Sequence, residues 1–225
     1  MMTHIINFIK NHKSEIYMKS TYFDNYIESI NKGATHEIFS IKNKVVKSDI
    51  FLDTINDVIS EIQKNKNRLF FFGNGASSAF ANHMALDFSK NGKILSRSLS
   101  DSALLTALSN DFSFDEAMLE YLKIESPAKE DLIITISSSG NSRNIVEVLK
   151  YCKSESIQTL ALSGLSQENQ SIKLSDFSIY VPMKTYGMVE CIHQVFLHLI
   201  LDHFMKIEEW NRDIIQNMNS SNFKL

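Results

Sequence analysis

Proline and glycine are scarce in this chain, two and seven among 225 residues. No linker or low-complexity tract therefore divides it, and one core is expected. Cysteine is also rare. Cys152 and Cys191 both fall in stretches with a helical pattern and lack CxxC spacing, so they are expected as buried, reduced thiols, which points to the cytoplasm. No apolar run approaches the roughly 20 residues of a membrane-spanning helix. The first 13 residues carry His4, Lys10 and Lys13 and no small-residue cleavage site, so they do not read as a secretory signal. Cations are not in excess: a net charge of -3 argues against a broad nucleic-acid-binding face. What remains, 44% hydrophobic and 22% charged, is the composition of an ordinary globular protein.

Periodicity divides what is present. Over residues 36–64, Ile38, Ile41, Val45, Leu52, Ile55, Ile59 and Ile62 recur at helical spacing, which predicts one long amphipathic helix. Beyond residue 67 the period changes. The short apolar run at 69–72 reads as a strand buried on both faces, and those at 132–136, 157–162 and 177–181, with a further candidate at 93–98, read as further strands. Helical patterns at 77–90, 104–122 (broken near Asn110-Asp111), 142–154 and 188–205 alternate with them. That alternation predicts a three-layer α/β fold, an open parallel sheet with helices on both faces. The expected organisation is a helical segment over 1–66 packed on the core, the α/β domain over 67–207, and a partly mobile tail over 208–225.

Open parallel sheets bind ligands beyond the carboxyl ends of their strands. Two loops here follow buried strands directly. In Gly73-Asn74-Gly75-Ala76-Ser77-Ser78 the glycines permit a sharp turn and close approach to a ligand, and Ser77 is placed to cap the next helix. In Ser137-Ser138-Ser139-Gly140-Asn141-Ser142, hydroxyls and backbone N–H groups gather at a helix N-terminus, which suits a phosphate dianion. Either loop alone is an ordinary turn or cap; two at one sheet edge make a binding edge. His83 and Asp87 stand at i and i+4 on one helix face, as a solvated pair or as two zinc ligands. Glu190 and His198 lie eight residues apart, roughly 12 Å along a continuous helix. They share an ion only if Glu190 precedes the helix or one of them comes from a neighbouring subunit.

The Gly73–Ser78 loop with His83 and Asp87 after it, the run Ser-Asn-Asp-Phe-Ser-Phe-Asp-Glu at 109–116, the serine loop, and a histidine-bearing C-terminal helix resemble the sugar-isomerase (SIS) domain family. Within it the likeness is greatest to the phosphoheptose isomerases, which convert sedoheptulose 7-phosphate to a heptose 7-phosphate, and it runs from about residue 68 to 205. The resemblance implies a flavodoxin-like SIS fold and a phosphorylated sugar as ligand. Ser137, Ser138, Ser139 and Ser142 would hold the phosphate, while Asn74, Ser77 and Asp111 would contact the sugar. His83, Asp87, Glu190 and His198 match family positions that act as base, acid or zinc ligands. It further implies a homotetramer with interfacial active sites. Three positions depart from the family, one being the basic residue usual soon after the helix base, where Asn91 stands at the equivalent spacing with Lys90 nearby. Asp87 stands where a Glu is usual, shortening the base's reach by one methylene, and Glu190 stands where a Gln is usual, adding a charge.

The expected activity is therefore aldose–ketose isomerisation of a sugar phosphate through a cis-enediol, with Asp87 as base, Glu190 in reserve, His198 as acid, and zinc as the one cofactor to consider. No nucleic-acid or membrane partner is expected. The competing reading is a non-enzymatic SIS-domain regulator or adaptor that binds a sugar phosphate or a protein.

Overall fold

The computed structural model describes residues 21–36 and 39–211. Seven strands form one sheet: β1 (Phe39–Ile41), β2 (Lys44–Val45), β3 (Leu69–Gly73), β4 (Ser96–Ser98), β5 (Leu132–Ser137), β6 (Gln158–Gly164) and β7 (Phe177–Val181), in the order β2-β1-β7-β6-β5-β3-β4. Strands β3 to β7 pair in parallel, as expected of strands linked by helical crossovers.

The side-chain period of two explains why the central runs are apolar throughout. In β3, Leu69 and Phe71 enter one core layer while Phe70 and Phe72 enter the other. The first layer is closed by α2 (Ser48–Asn65), α3 (Ala76–Lys90) and α8 (Tyr186–Met205), with α1 (Tyr22–Thr35) laid against α8. The second is closed by α4 (Ser102–Asp111), α5 (Ala117–Glu125) and α6 (Arg143–Glu155). A short α7 (Gln170–Leu174) links β6 to β7. No described helix is long and apolar enough to cross a membrane.

The long helix expected over 36–64 is corrected. Its first part is a hairpin, and the helix begins only at Ser48. Lys42 and Asn43 both have positive φ, 47° and 61°, the backbone that a two-residue hairpin turn requires. β1 then adds antiparallel to β7 and covers what would otherwise be an open sheet edge. Ile41 and Val45 match a helical period by coincidence of spacing; Ile38 lies outside the described residues. Residues 39–45 thus belong to the same sheet as the α/β domain, and no structural division falls at 66.

Cys152 is buried in the second core layer, and burial pushes its thiol up to about 12. Cys191 is corrected: it is exposed on α8. The tail expected over 208–225 is described only as far as a single 3-10 turn at Glu209–Asn211, and residues 1–20 also lie outside the described residues.

Candidate functional site

β3 and β5 are neighbours, with Gly73 opposite Ile136, so the loops that leave them lie side by side at the carboxyl edge of the sheet. Between them is a cavity of about 90 Å³. A phosphate-sized group fits this space, and its open side leaves room for the rest of a ligand. Ser137, Ser138, Ser139 and Ser142 line one side, Asn74 and Ser77 another, and Tyr186 and Glu190 from the start of α8 complete it.

The serine loop is held from behind. Gly140 has φ +63°, and a Cβ there would lie 2.3 Å from the Asn169 side chain, so any other residue is strained at this position. The Gly140 carbonyl accepts from both N and Oγ of Ser171, at 2.9 and 3.0 Å. Asn141 Oδ1 accepts from Gln170 N at 3.0 Å, and Ser138 O accepts from Gly164 N at 2.9 Å. The fully buried Asn169 donates to Ser163 Oγ and Ser166 O and accepts from Ile172 N. Together these bonds fix the loop backbone against α7 and the end of β6.

That leaves the hydroxyls and the helix end for a ligand. Ser142 is the N-cap of α6 yet makes no capping bond with its side chain; its Oγ instead lies 3.3 Å from Ser137 Oγ. A helix N-terminus with an idle cap presents N–H groups and a partial positive charge to an anion. Among the described residues, no Lys, Arg or His lines the cavity. Arg143, the next residue, has an 84% exposed side chain and lies 3.5 Å from Asp115.

On the glycine loop, the expectation that Ser77 caps α3 is corrected. Gly75 is the N-cap, at φ +55°, and no side chain caps it. Ser77 sits one position into the helix, buried, with its side chain at the cavity. Asn74 joins its amide to Asn144 in the first turn of α6 by two bonds of 2.9 Å, one in each direction. Asp111 is not at the cavity: it is exposed at the end of α4, where Asp111 Oδ1 accepts from the Asn110 amide at 3.0 Å.

A second cluster lies farther along the same two helices. His83 and Asp87 on α3 and His198 on α8 offer ligand atoms all within 4.8 Å of one another. His83 Nε2 is 3.2 Å from Asp87 Oδ2, and the His83 and His198 rings meet edge to face at 5.4 Å between centroids. Two imidazoles and a carboxylate are a donor set that suits zinc. The expectation of Glu190 as a further ligand is corrected within a single chain. α8 is continuous from Tyr186 to Met205, so Glu190 stands roughly 12 Å along the axis from His198 and faces the serine cavity instead.

Three residues of this region were not singled out from the sequence as site residues. Gln194, one turn before His198, places its Nε2 2.7 Å from His198 Nε2, while its buried Oε1 has no partner among the described residues. Asn144 is polar at a buried helix position, a signal that the sequence does display. Tyr186 shows no such signal. His193, weighed as a group supporting the site and read as packed, is wholly buried with Nε2 3.1 Å from Ser163 O. Burial pushes its imidazole down to about 4, so it is neutral near pH 7.

The chain is 29% identical to phosphoheptose isomerase 2 of Campylobacter jejuni, over 77% of this chain and 90% of that one. It is 30% identical to the phosphoheptose isomerase of Aliarcobacter butzleri, over 66% of this chain and 81% of the relative. The fold is similar to that of a phosphoheptose isomerase from Francisella tularensis, with TM-score 0.69, 18% identity, and 82% and 95% of the two chains covered. The sequence signature of the SIS domain matches residues 35–164, more than half of the chain, which therefore belongs to the SIS domain family.

Proposed function

We propose that this chain is an aldose–ketose isomerase of a sugar phosphate, acting on sedoheptulose 7-phosphate or a closely related ketose phosphate. The observation that carries the reading is that α3 and α8 each serve both clusters. Ser77 and Glu190 near their starts line the serine cavity, while His83, Asp87 and His198 come together roughly 9–15 Å farther along the axes. A ligand with its phosphate at the helix N-termini would extend its carbonyl end toward a carboxylate and two imidazoles. The relatives named phosphoheptose isomerase support the same substrate class.

In this reading the Asp87 carboxylate takes a proton from C1 of the ketose and returns it to C2 through a cis-enediol, while His198 exchanges protons with the sugar oxygens. Glu190 is the alternative base. His83, Asp87 and His198 would hold a zinc ion, which when bound supplies Lewis-acid polarisation of a sugar oxygen. The regulator or adaptor reading loses support from the convergence of these acid–base side chains.

The reading includes a homotetramer with active sites at its interfaces. Tyr22 and Phe23 on α1, Leu86 on α3 and Val195 on α8 are large apolar side chains at least half exposed in the single chain, a surface that subunit contact would cover.

The direct test is a panel of C5 to C7 ketose phosphates assayed for isomerisation, with and without a chelator. Turnover of at least one member is expected. Failure with every member would overturn the enzymatic reading.

A further inference from the structure

We infer that Asn144 is a positioning residue that orients Asn74 toward the sugar and joins the two ligand loops into one receptor; the inference rests on the sugar-phosphate reading of the cavity.

Asn144 does not line the cavity. Only 2% exposed, it lies in the first turn of α6, behind the serine loop. Asn74 does line the cavity, at the end of β3. Each amide donates Nδ2–H to the other's Oδ1 at 2.9 Å, closing a ring of two hydrogen bonds between loops that are distant in sequence.

An amide pair is ambiguous alone, because reversing both side chains preserves both bonds. Here one end is pinned. Ile145 N donates to Asn144 Oδ1 at 3.0 Å. A backbone N–H is only a donor, so the atom that it meets is the oxygen. Asn144 Oδ1 therefore faces Asn74 Nδ2, and Asn144 Nδ2 faces Asn74 Oδ1. The first turn of α6 sets Asn144, and Asn144 sets Asn74.

The consequence is chemical. An amide carries two N–H donors and an oxygen with two lone pairs. The pair uses one of each on Asn74, which leaves one N–H and one lone pair at fixed places beside the cavity. A sugar hydroxyl both donates and accepts, so a fixed donor–acceptor edge discriminates among hydroxyl arrangements. A phosphate only accepts and already faces the serine hydroxyls and the helix end. Breaking the pair should therefore weaken recognition of the sugar and spare that of the phosphate.

The experiment is a double-mutant cycle with Asn144→Ala, Asn74→Ala and the combined variant. Calorimetry measures two probes, inorganic phosphate and the tightest-binding ketose phosphate of the C5 to C7 panel. Asn144→Ala should weaken the ketose phosphate about tenfold and change inorganic phosphate less than threefold. In the Asn74→Ala background, Asn144→Ala should add less than twofold. If Asn144→Ala fails to fold, Asn144→Asp enters the same cycle; it keeps the acceptor for Ile145 N and removes the donor to Asn74. Additive losses, or equal losses for both probes, would overturn the inference. A wild-type protein that binds ketose phosphates but turns none over overturns the isomerase reading alone, since the cycle is read from binding. A wild type that binds no ketose phosphate overturns both.

Discussion

Asp87 Oδ2 stands 3.2 Å from His83 Nε2 one helical turn away, and the two share their site with His198 from the last long helix. The carboxylate is thereby placed to hold a proton or an ion, and these two uses compete. A bound cation stabilises the ionised carboxylate and makes it a weaker base.

Asp87→Asn and His198→Gln are each expected to abolish turnover while leaving inorganic phosphate affinity within about threefold by calorimetry, because the serine cavity lies two to three turns away. Glu190→Gln separates the two candidate bases. Retained activity assigns the proton to Asp87; lost activity with zinc still bound assigns it to Glu190. Wild-type turnover in all three variants would remove the composite site and favour a regulator.

Zinc binding should depend on the three converging side chains and not on Glu190. His83→Ala and His198→Gln are each expected to lower zinc affinity by at least tenfold in a chelator-competition titration, and Glu190→Gln by less than threefold. A large loss with Glu190→Gln would mean that a second subunit completes the ion site.

Ser137→Ala and Ser139→Ala should each weaken sugar-phosphate binding by about 1 kcal/mol or more, the value of a hydrogen bond to a charged partner, with the fold intact. The two cavity hydroxyls differ in their resting partners: Ser137 Oγ lies 3.3 Å from Ser142 Oγ, and Ser139 Oγ accepts from Asn141 N at 3.2 Å. Unchanged calorimetric affinity in both variants would remove the phosphate from this loop.

Gly140→Ala should destabilise the fold by about 1–3 kcal/mol in denaturant titration, since both the left-handed backbone and the Asn169 side chain oppose a Cβ. A change under a few tenths of a kcal/mol would show that the loop backbone is not held as described.

Acid should weaken the fold through His193. Its imidazole is held down at about 4 when folded, by burial, against about 6.5 when unfolded. Both states are neutral above pH 6.5, where the full stability is present. Between 6.5 and 4 the unfolded chain takes up the proton first, so stability falls with pH by up to about 1.4 kcal/mol per unit. Thermal denaturation of wild type against His193→Phe across that window checks it; identical pH slopes would contradict it.

Oligomerisation is read by light scattering. A tetramer at micromolar concentration is expected, and a monomer would refute the interfacial reading of the apolar side chains on α1, α3 and α8.

The sequence by itself determined the central sheet and its binding edge. Runs such as 69–72 and 132–136 are apolar on both faces, and only a strand covered by helices on both sides buries such a run. A glycine or serine loop straight after such a strand must then emerge at the carboxyl edge, so Asn74, Ser77 and the loop serines were legible as neighbours. Tertiary structure decided what depends on non-local pairing. The 39–45 hairpin exists because β7 offers an edge, and nothing within its own few residues distinguishes it from a helical period. The separation of Glu190 from His83, Asp87 and His198 follows from the unbroken path of α8, since residues eight apart on one helix cannot meet. The Asn74–Asn144 ring needed two loops brought together by adjacent parallel strands. Local residue patterns set which face of an element is buried. Which distant side chains then touch is fixed only when those faces pack.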